Sequence, residues 1–125
     1  MSYPEFFIDG KLNKALINDE GTNNVAAIAK FLKERSKLNI NQLRKFYDSF
    51  VRIHNSTVDS ETKKVQLLML KANVEYSANR LKIQEFSNFF KNRINIVLKQ
   101  TEDFQKYMNA LKMHFEALVA YFPKR

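Results

Sequence analysis

The sequence predicts an all-α fold, a compact bundle of about five helices, and three observations carry that expectation. The 125 residues include only two Gly and two Pro, at positions 4, 10, 21 and 123, so no strong helix breaker interrupts Thr22 to Phe122. Apolar residues recur through that stretch at spacings of three and four, the period of one helix face. Eleven Phe and five Tyr, within a 45% apolar composition, can furnish a core without a disulfide or metal staple, because a chain of this size buries roughly two-thirds of its unfolded surface. A single helical domain over 1–125 follows, with 1–21 as a loosely assigned lead-in.

In the lead-in, Asp9-Gly10 is a turn signal, and Glu5 to Leu12 reads equally as a hairpin or as irregular chain. Val25, Ile28, Phe31 and Leu32 mark the first helix, and Leu43, Phe46, Tyr47 and Phe50 the second. Asn39 precedes Gln42 by three, the spacing of a capping box at the second helix's entrance. The polar stretch Asn55 to Ser60 reads as the main loop, with Asp59 or Ser60 able to accept bonds from the free amides of the third helix. That helix carries Leu67, Leu70, Val74, Ala78 and Leu81, but also Val65, Leu68, Met69 and Tyr76, which cannot share one stripe with them. It is therefore expected to be central, packed on more than one side. Phe86, Phe89, Phe90, Ile94 and Val97 define the fourth helix; Phe104, Met108, Leu111, Phe115, Leu118 and Phe122 define the fifth. Thr101 is the expected cap of the fifth, with Glu102 and Asp103 in its first turn against the positive end of the dipole, and Pro123 ends it. Met69, Met108 and Met113 are expected as core fillers.

The absence of cysteine removes thiol nucleophiles, iron–sulfur clusters and Cys-ligated zinc, and fits a reducing compartment. No basic segment followed by a long apolar run opens the chain, and no stretch approaches roughly 18 consecutive apolar residues, so the expectation is a cytosolic protein without membrane association. His54 and His114 lie at ligand spacing from no second His or carboxylate, and no Gly-rich phosphate loop occurs, so no metal and no cofactor are expected. His114 reads as a structural residue. Glu116, inside FEALVAYF, is the one acid placed for partial burial, where a salt bridge to a neighbouring helix explains it better than catalysis does. A nucleophile with its base, or two carboxylates in separated environments, cannot be assembled, so the chain reads as a non-enzyme.

The net charge of +8 and isoelectric point near 9.7 suggest a polyanionic partner. Residues 1–29 sum to −2, whereas 30–52 sum to +5 and 61–82 to +3, so the basic character sits mid-chain. At 100° per residue, Lys45 and Arg52 fall about 20° apart on the second helix, opposite its apolar face. Arg44 lies at the boundary between that face and solvent. On the third helix Lys64, Lys71 and Lys82 share one face, with Glu75 partly neutralising Lys71. Arg80 points the other way, which suits a structural ion pair unless the fold opens a groove there. No exposed aromatic for base stacking can be singled out, so the expected contacts are with phosphates and sugars, by charge and shape.

Three segments read together: KLNINQLRKFYDSF at 37–50, LMLKANVEYSANR at 68–80 and FQKYMNALKMHFEALVAYF at 104–122. In that order and spacing they resemble the small helical subunit of the type III-A CRISPR interference complex, the Csm complex. The specific parts are the Leu-x-x-x-Gln-Leu-Arg-Lys-Phe helix start, the set Leu70, Lys71, Tyr76 and Arg80, and Phe-Glu-Ala-Leu-Val-Ala-Tyr at 115–121. Where members of that family carry two hydroxyl residues this chain has Asn39, Ile40 and Asn41, and Asn39 preserves the capping chemistry. The resemblance implies an all-helical subunit without an active site. Several copies would associate with themselves head to tail beside the other subunits, lining the channel that holds guide RNA paired with target RNA. By the same resemblance Arg44, Lys71 and Arg80 match the family's recurring bases, whereas Lys45, Arg52 and Lys82 come from helix geometry alone. Arg80 either joins the RNA contacts or braces the bundle. The alternative is a helical adaptor whose bases only solubilise it; a free-standing duplex-DNA binder is weaker, since no recognition helix with base-reading side chains at an exposed start is visible.

Overall fold

Five helices occupy the stretch free of breakers in the computed structural model, which describes residues 1–124: α1 (Val25–Arg35), α2 (Ile40–Asn55), α3 (Ser60–Leu81), α4 (Gln84–Leu98) and α5 (Phe104–Tyr121). Ahead of them the lead-in forms a hairpin, β1 (Phe7–Ile8) pairing antiparallel with β2 (Lys11–Leu12), and a 3₁₀ turn at Lys14–Leu16. Asp9 and Gly10 sit between the strands with φ of 51° and 78°. Two consecutive left-handed residues are what a two-residue hairpin turn requires, and Asp-Gly accepts them readily. The hairpin is thus the alternative realised over Glu5 to Leu12.

Local hydrogen bonding sets the helix starts. Asn24 Oδ1 accepts from the Ala27 amide at 2.8 Å, and Asn39 accepts from the Gln42 amide at 2.8 Å while the Asn39 amide donates to Gln42 Oε1 at 3.0 Å, completing the expected capping box. Asp59 accepts from the Thr62 amide at 2.8 Å, and hydrogen bonding to Thr62 holds its carboxyl below the usual range. The start of α5 departs from expectation: Asp103, not Thr101, is the N-cap, without a side-chain cap bond. The Phe104 amide reaches the Thr101 carbonyl at 3.3 Å, so 101–103 form a tight turn and the two acids precede the helix instead of lying inside its first turn. At the other end Phe122 is extended, with ψ 128°, as the residue before Pro123 must be.

Helices α2 and α4 form a middle layer, with α3 on one side and α5 on the other, and α1 packs against α5. Aromatic rings join the middle layer to α5: Phe90 stacks on Phe115 with centroids 4.9 Å apart, and Phe50 meets Phe115 edge-on at 5.2 Å. Only one face of α3, Leu67, Leu70, Val74 and Ala78, enters the core. Val65, Leu68, Met69 and Tyr76 point to solvent, Met69 being 62% and Tyr76 75% exposed, whereas Leu81 is half-buried against the core. The expectation of a central α3 is therefore incorrect. Its second apolar face has no partner among the described residues. Met69 and Met113 are likewise exposed, and of the three methionines expected in the core only Met108 is there. Glu116 is exposed, not partly buried.

Two buried polar side chains in α4 and α5 hold the lead-in. Arg93 is 1% exposed, its guanidinium over the rings of Tyr3 and Phe6 at 5.6 and 5.0 Å, with Nη1 donating to the Pro4 carbonyl at 2.8 Å. Burial lowers its pKa to about 10, so it stays charged at neutral pH. His114 is fully buried and donates from Nδ1 to the Leu16 carbonyl at 2.7 Å, while its Nε2 has no partner among the described residues. Charging that ring would bury an unpaired proton. Burial accordingly pushes its pKa down to about 3, aided by the nearby Arg93 charge and opposed by the Leu16 bond.

Two outcomes are expected. Below the ordinary imidazole pKa of about 6.5 the unfolded chain takes up a proton at His114 that the folded chain refuses, so stability falls as pH falls, by up to about 1.4 kcal/mol per pH unit, levelling off near the folded value. Denaturant titrations between about pH 6.5 and 5 should show this slope, and His114→Gln should flatten it. Asn39→Ala, which deletes one half of the α2 capping box, should cost about 1 kcal/mol in the same titration at neutral pH.

Candidate nucleic-acid interface

Because α3 buries one face only, its flank and that of α2 leave an open groove between them. The groove has two hollows of about 420 Å³ each, which share Ser49, Leu70 and Asn73 in their walls and so run into one another. Arg52, Val65 and Met69 line the first; Lys45, Tyr76 and Arg80 line the second. No carboxylate lines either one among the described residues. Its character is a basic wall from α2 facing a mixed apolar and polar wall from α3, wide open to solvent at the Met69 and Tyr76 edge.

Helical geometry explains the arrangement. Lys45 and Arg52 lie seven residues apart on the same exposed flank, so both reach the groove, and Ser49 Oγ between them accepts from Arg52 Nη2 at 3.2 Å. Arg80 stands one turn after Tyr76, with its guanidinium 5.8 Å from the ring centroid. The ion pairs among the described residues are Lys64–Glu61 and Lys91–Glu75, so Arg80 has no carboxylate partner there. The fold does open a groove on the Arg80 side, the condition under which this residue reads as a ligand contact.

The remaining predicted bases go elsewhere. Lys71 is nine residues from Arg80, half a turn round α3 at 100° per residue, and its Nζ donates to Asn95 Oδ1 on α4. Glu75, expected to neutralise Lys71, instead pairs with Lys91 and accepts from Ser87 Oγ at 3.2 Å, and the Lys91 bond holds its carboxyl below the ordinary range. Lys82 is exposed at the C-cap of α3 in the left-handed region, φ 61°, and its carbonyl accepts from the Lys37 amide at 3.0 Å. Arg44 is exposed on α2 and does not line the groove. Lys45, Arg52 and Arg80 are thus brought together; Arg44, Lys71 and Lys82 are not.

The sequence reading missed Tyr76 and the polar groups Gln42, Asn73 and Ser77 beside it. A signal was present: Val65, Met69, Asn73, Tyr76 and Arg80 follow one another at spacings of three and four, a second stripe that a bundle of this size has no helix to cover. Among the described residues no group of three or more His, Asp and Glu could hold a metal, and no helix is long and apolar enough to cross a membrane.

A model of the family described as Csm2 Type III-A matches residues 19–124. No curated protein and no solved structure matches the chain significantly. The match takes in all five helices, both walls of the groove and each of the three segments that carry the resemblance to the small Csm subunit. With this coverage the chain belongs to the Csm2 Type III-A family, the small helical subunit of the type III-A CRISPR Csm complex.

Proposed function

We propose that the chain is a non-catalytic structural subunit of a cytoplasmic type III-A effector ribonucleoprotein in antiviral defence, and that its α2–α3 groove contacts target RNA or the guide–target duplex. The single observation that carries this reading is the groove itself, where Lys45, Arg52 and Arg80 converge with no carboxylate in the lining. Three uncompensated bases along one open channel suit a chain of phosphates: each neutralised phosphate releases condensed counterions, and the contact needs no base sequence. Arg44 and Lys82, exposed outside the groove, are proposed as further backbone contacts, and Lys71 as a brace between α3 and α4.

Stacking of several copies head to tail is part of the same proposal. A heterologous contact uses two different patches on each monomer. The outer face of α3, with Val65, Leu68 and Met69, is one candidate. An apolar hollow between the hairpin and α5, lined by Phe7, Leu12, Ala110 and Met113, is another, across the middle layer from α3.

The exposed apolar face of α3 also favours a second reading, a helical adaptor that touches subunits and not RNA. One experiment separates the two. Lys45→Glu combined with Arg52→Glu, both on exposed positions, should leave the fold intact and weaken RNA binding in a reconstituted complex. The log–log salt slope should fall by about 0.7 for each phosphate of a single strand that the reversal leaves without its cation. RNA binding equal to that of the native complex would sink the assignment of the groove, and that result together with assembly abolished by Leu68→Lys would favour the adaptor.

A further inference from the structure

We propose that the Tyr76 end of the groove is a stacking site for an unpaired base of single-stranded RNA, with the Tyr76 ring as platform and the Arg80 guanidinium as its cationic partner. This rests on the reading of the groove as an RNA surface and goes beyond it, because phosphate contact alone does not distinguish a single strand from a duplex.

The observations are of three kinds. Tyr76 is the most exposed large side chain with apolar character in the described chain, at 75%, and it contributes nothing to the core. Tyrosine has only two side-chain torsions, so fixing an exposed ring as a π-face costs little side-chain entropy on binding. Arg80, one turn further on, keeps its guanidinium 5.8 Å from that ring, and no described carboxylate draws it away. An unpaired guanidinium beside an aromatic face reinforces stacking of a base through cation–π attraction while remaining free for the adjoining phosphate. Around the ring the hollow combines Lys45 with the hydrogen-bonding side chains of Gln42, Asn73 and Ser77 over an apolar floor of Phe46 and Leu81. Its volume, about 420 Å³, lies in the range of clefts that hold small planar ligands.

The chemistry selects a single strand. In an A-form duplex every base is already stacked between its neighbours and has no free face for the tyrosine, whereas unstacked bases of single strands, loops and bulges take aromatic platforms regardless of sequence. A protein occupant is the competing outcome of the test: Tyr and Arg are favoured at protein interfaces, whereas Lys45, which lacks an acidic partner beside the ring, is of a residue type depleted there.

The test uses the full chain, alone at low salt and in the reconstituted complex, with Tyr76 replaced by Ala, Leu and Phe. Each variant is titrated with a single-stranded RNA and with a duplex RNA of equal length across a salt series. Because Tyr76 lies outside the core, all three should keep the native helical signal and melting temperature. Stacking predicts that Tyr76→Ala and Tyr76→Leu weaken single-strand binding roughly tenfold, that Tyr76→Phe retains it, that duplex binding is unaffected, and that the salt slope is the same in all. Unchanged single-strand affinity in Tyr76→Ala, with the Lys45 and Arg52 reversal still defective, would overturn the stacking site and leave the groove reading standing. Retention by Tyr76→Leu, or failure of subunit assembly with RNA affinity intact, would make the ring an apolar protein contact and overturn it too. Absence of RNA binding by the native chain in both settings would overturn stacking and groove together.

Discussion

Phe115 is the residue through which the bundle is joined. Its ring stacks on Phe90 of α4, meets Phe50 of α2 edge-on, and lies 6.3 Å from Phe89, so that three helices share one aromatic contact. Phe46 extends the cluster by packing on Phe86 at 5.5 Å. Aromatic side chains bury roughly 150–250 Å² each and favour stacked or edge-on arrangements, which hold their neighbours at set angles. With α2, α4 and α5 joined in this way, α3 lies outside them and offers its aliphatic residues on a single face.

That arrangement produces the surface. A helix that covers two others from outside leaves a cleft along one of them, and here α4 is sealed by Lys71–Asn95 and Glu75–Lys91 contacts while the α2 flank is bridged by no hydrogen bond between α2 and α3 along the groove. The cleft therefore opens where Lys45 and Arg52 already face outward. The same arrangement turns Arg80 toward α2 and Lys71 away from it, because half a turn of helix separates them. Charge, position and openness are then consequences of one asymmetry, an α3 with partners on one side only. At the opposite side of the molecule the lead-in closes the core over α4 and α5, held by Arg93 and His114.

Much of this is legible in the sequence because it is local. The capping box at Asn39 and Gln42, the Asp59 cap, the Asp9-Gly10 turn and the stop before Pro123 depend on residues within four positions of one another. Family membership, too, is readable from three segments. What is not legible depends on distant partners. Helical periodicity shows that Val65, Met69 and Tyr76 share a face, but not whether another helix exists to cover it, and for that reason the sequence alone points to a central α3. Arg93 and His114 take their bonds from Pro4 and Leu16, respectively 89 and 98 residues away, which no spacing rule reveals. Of the predicted bases, Lys45 and Arg52 can be paired by angle along one helix, whereas the alignment of Arg80 with them requires the packing of two.

The most direct test of the groove as an RNA surface is ultraviolet crosslinking of the assembled complex to its target RNA, with the crosslinked peptides of this subunit identified by mass spectrometry. Crosslinks are expected on the two walls of one groove, in the segments spanning Lys45 to Arg52 on α2 and Met69 to Arg80 on α3. Crosslinks confined to α1, α5 or the hairpin, with both walls silent, would contradict it.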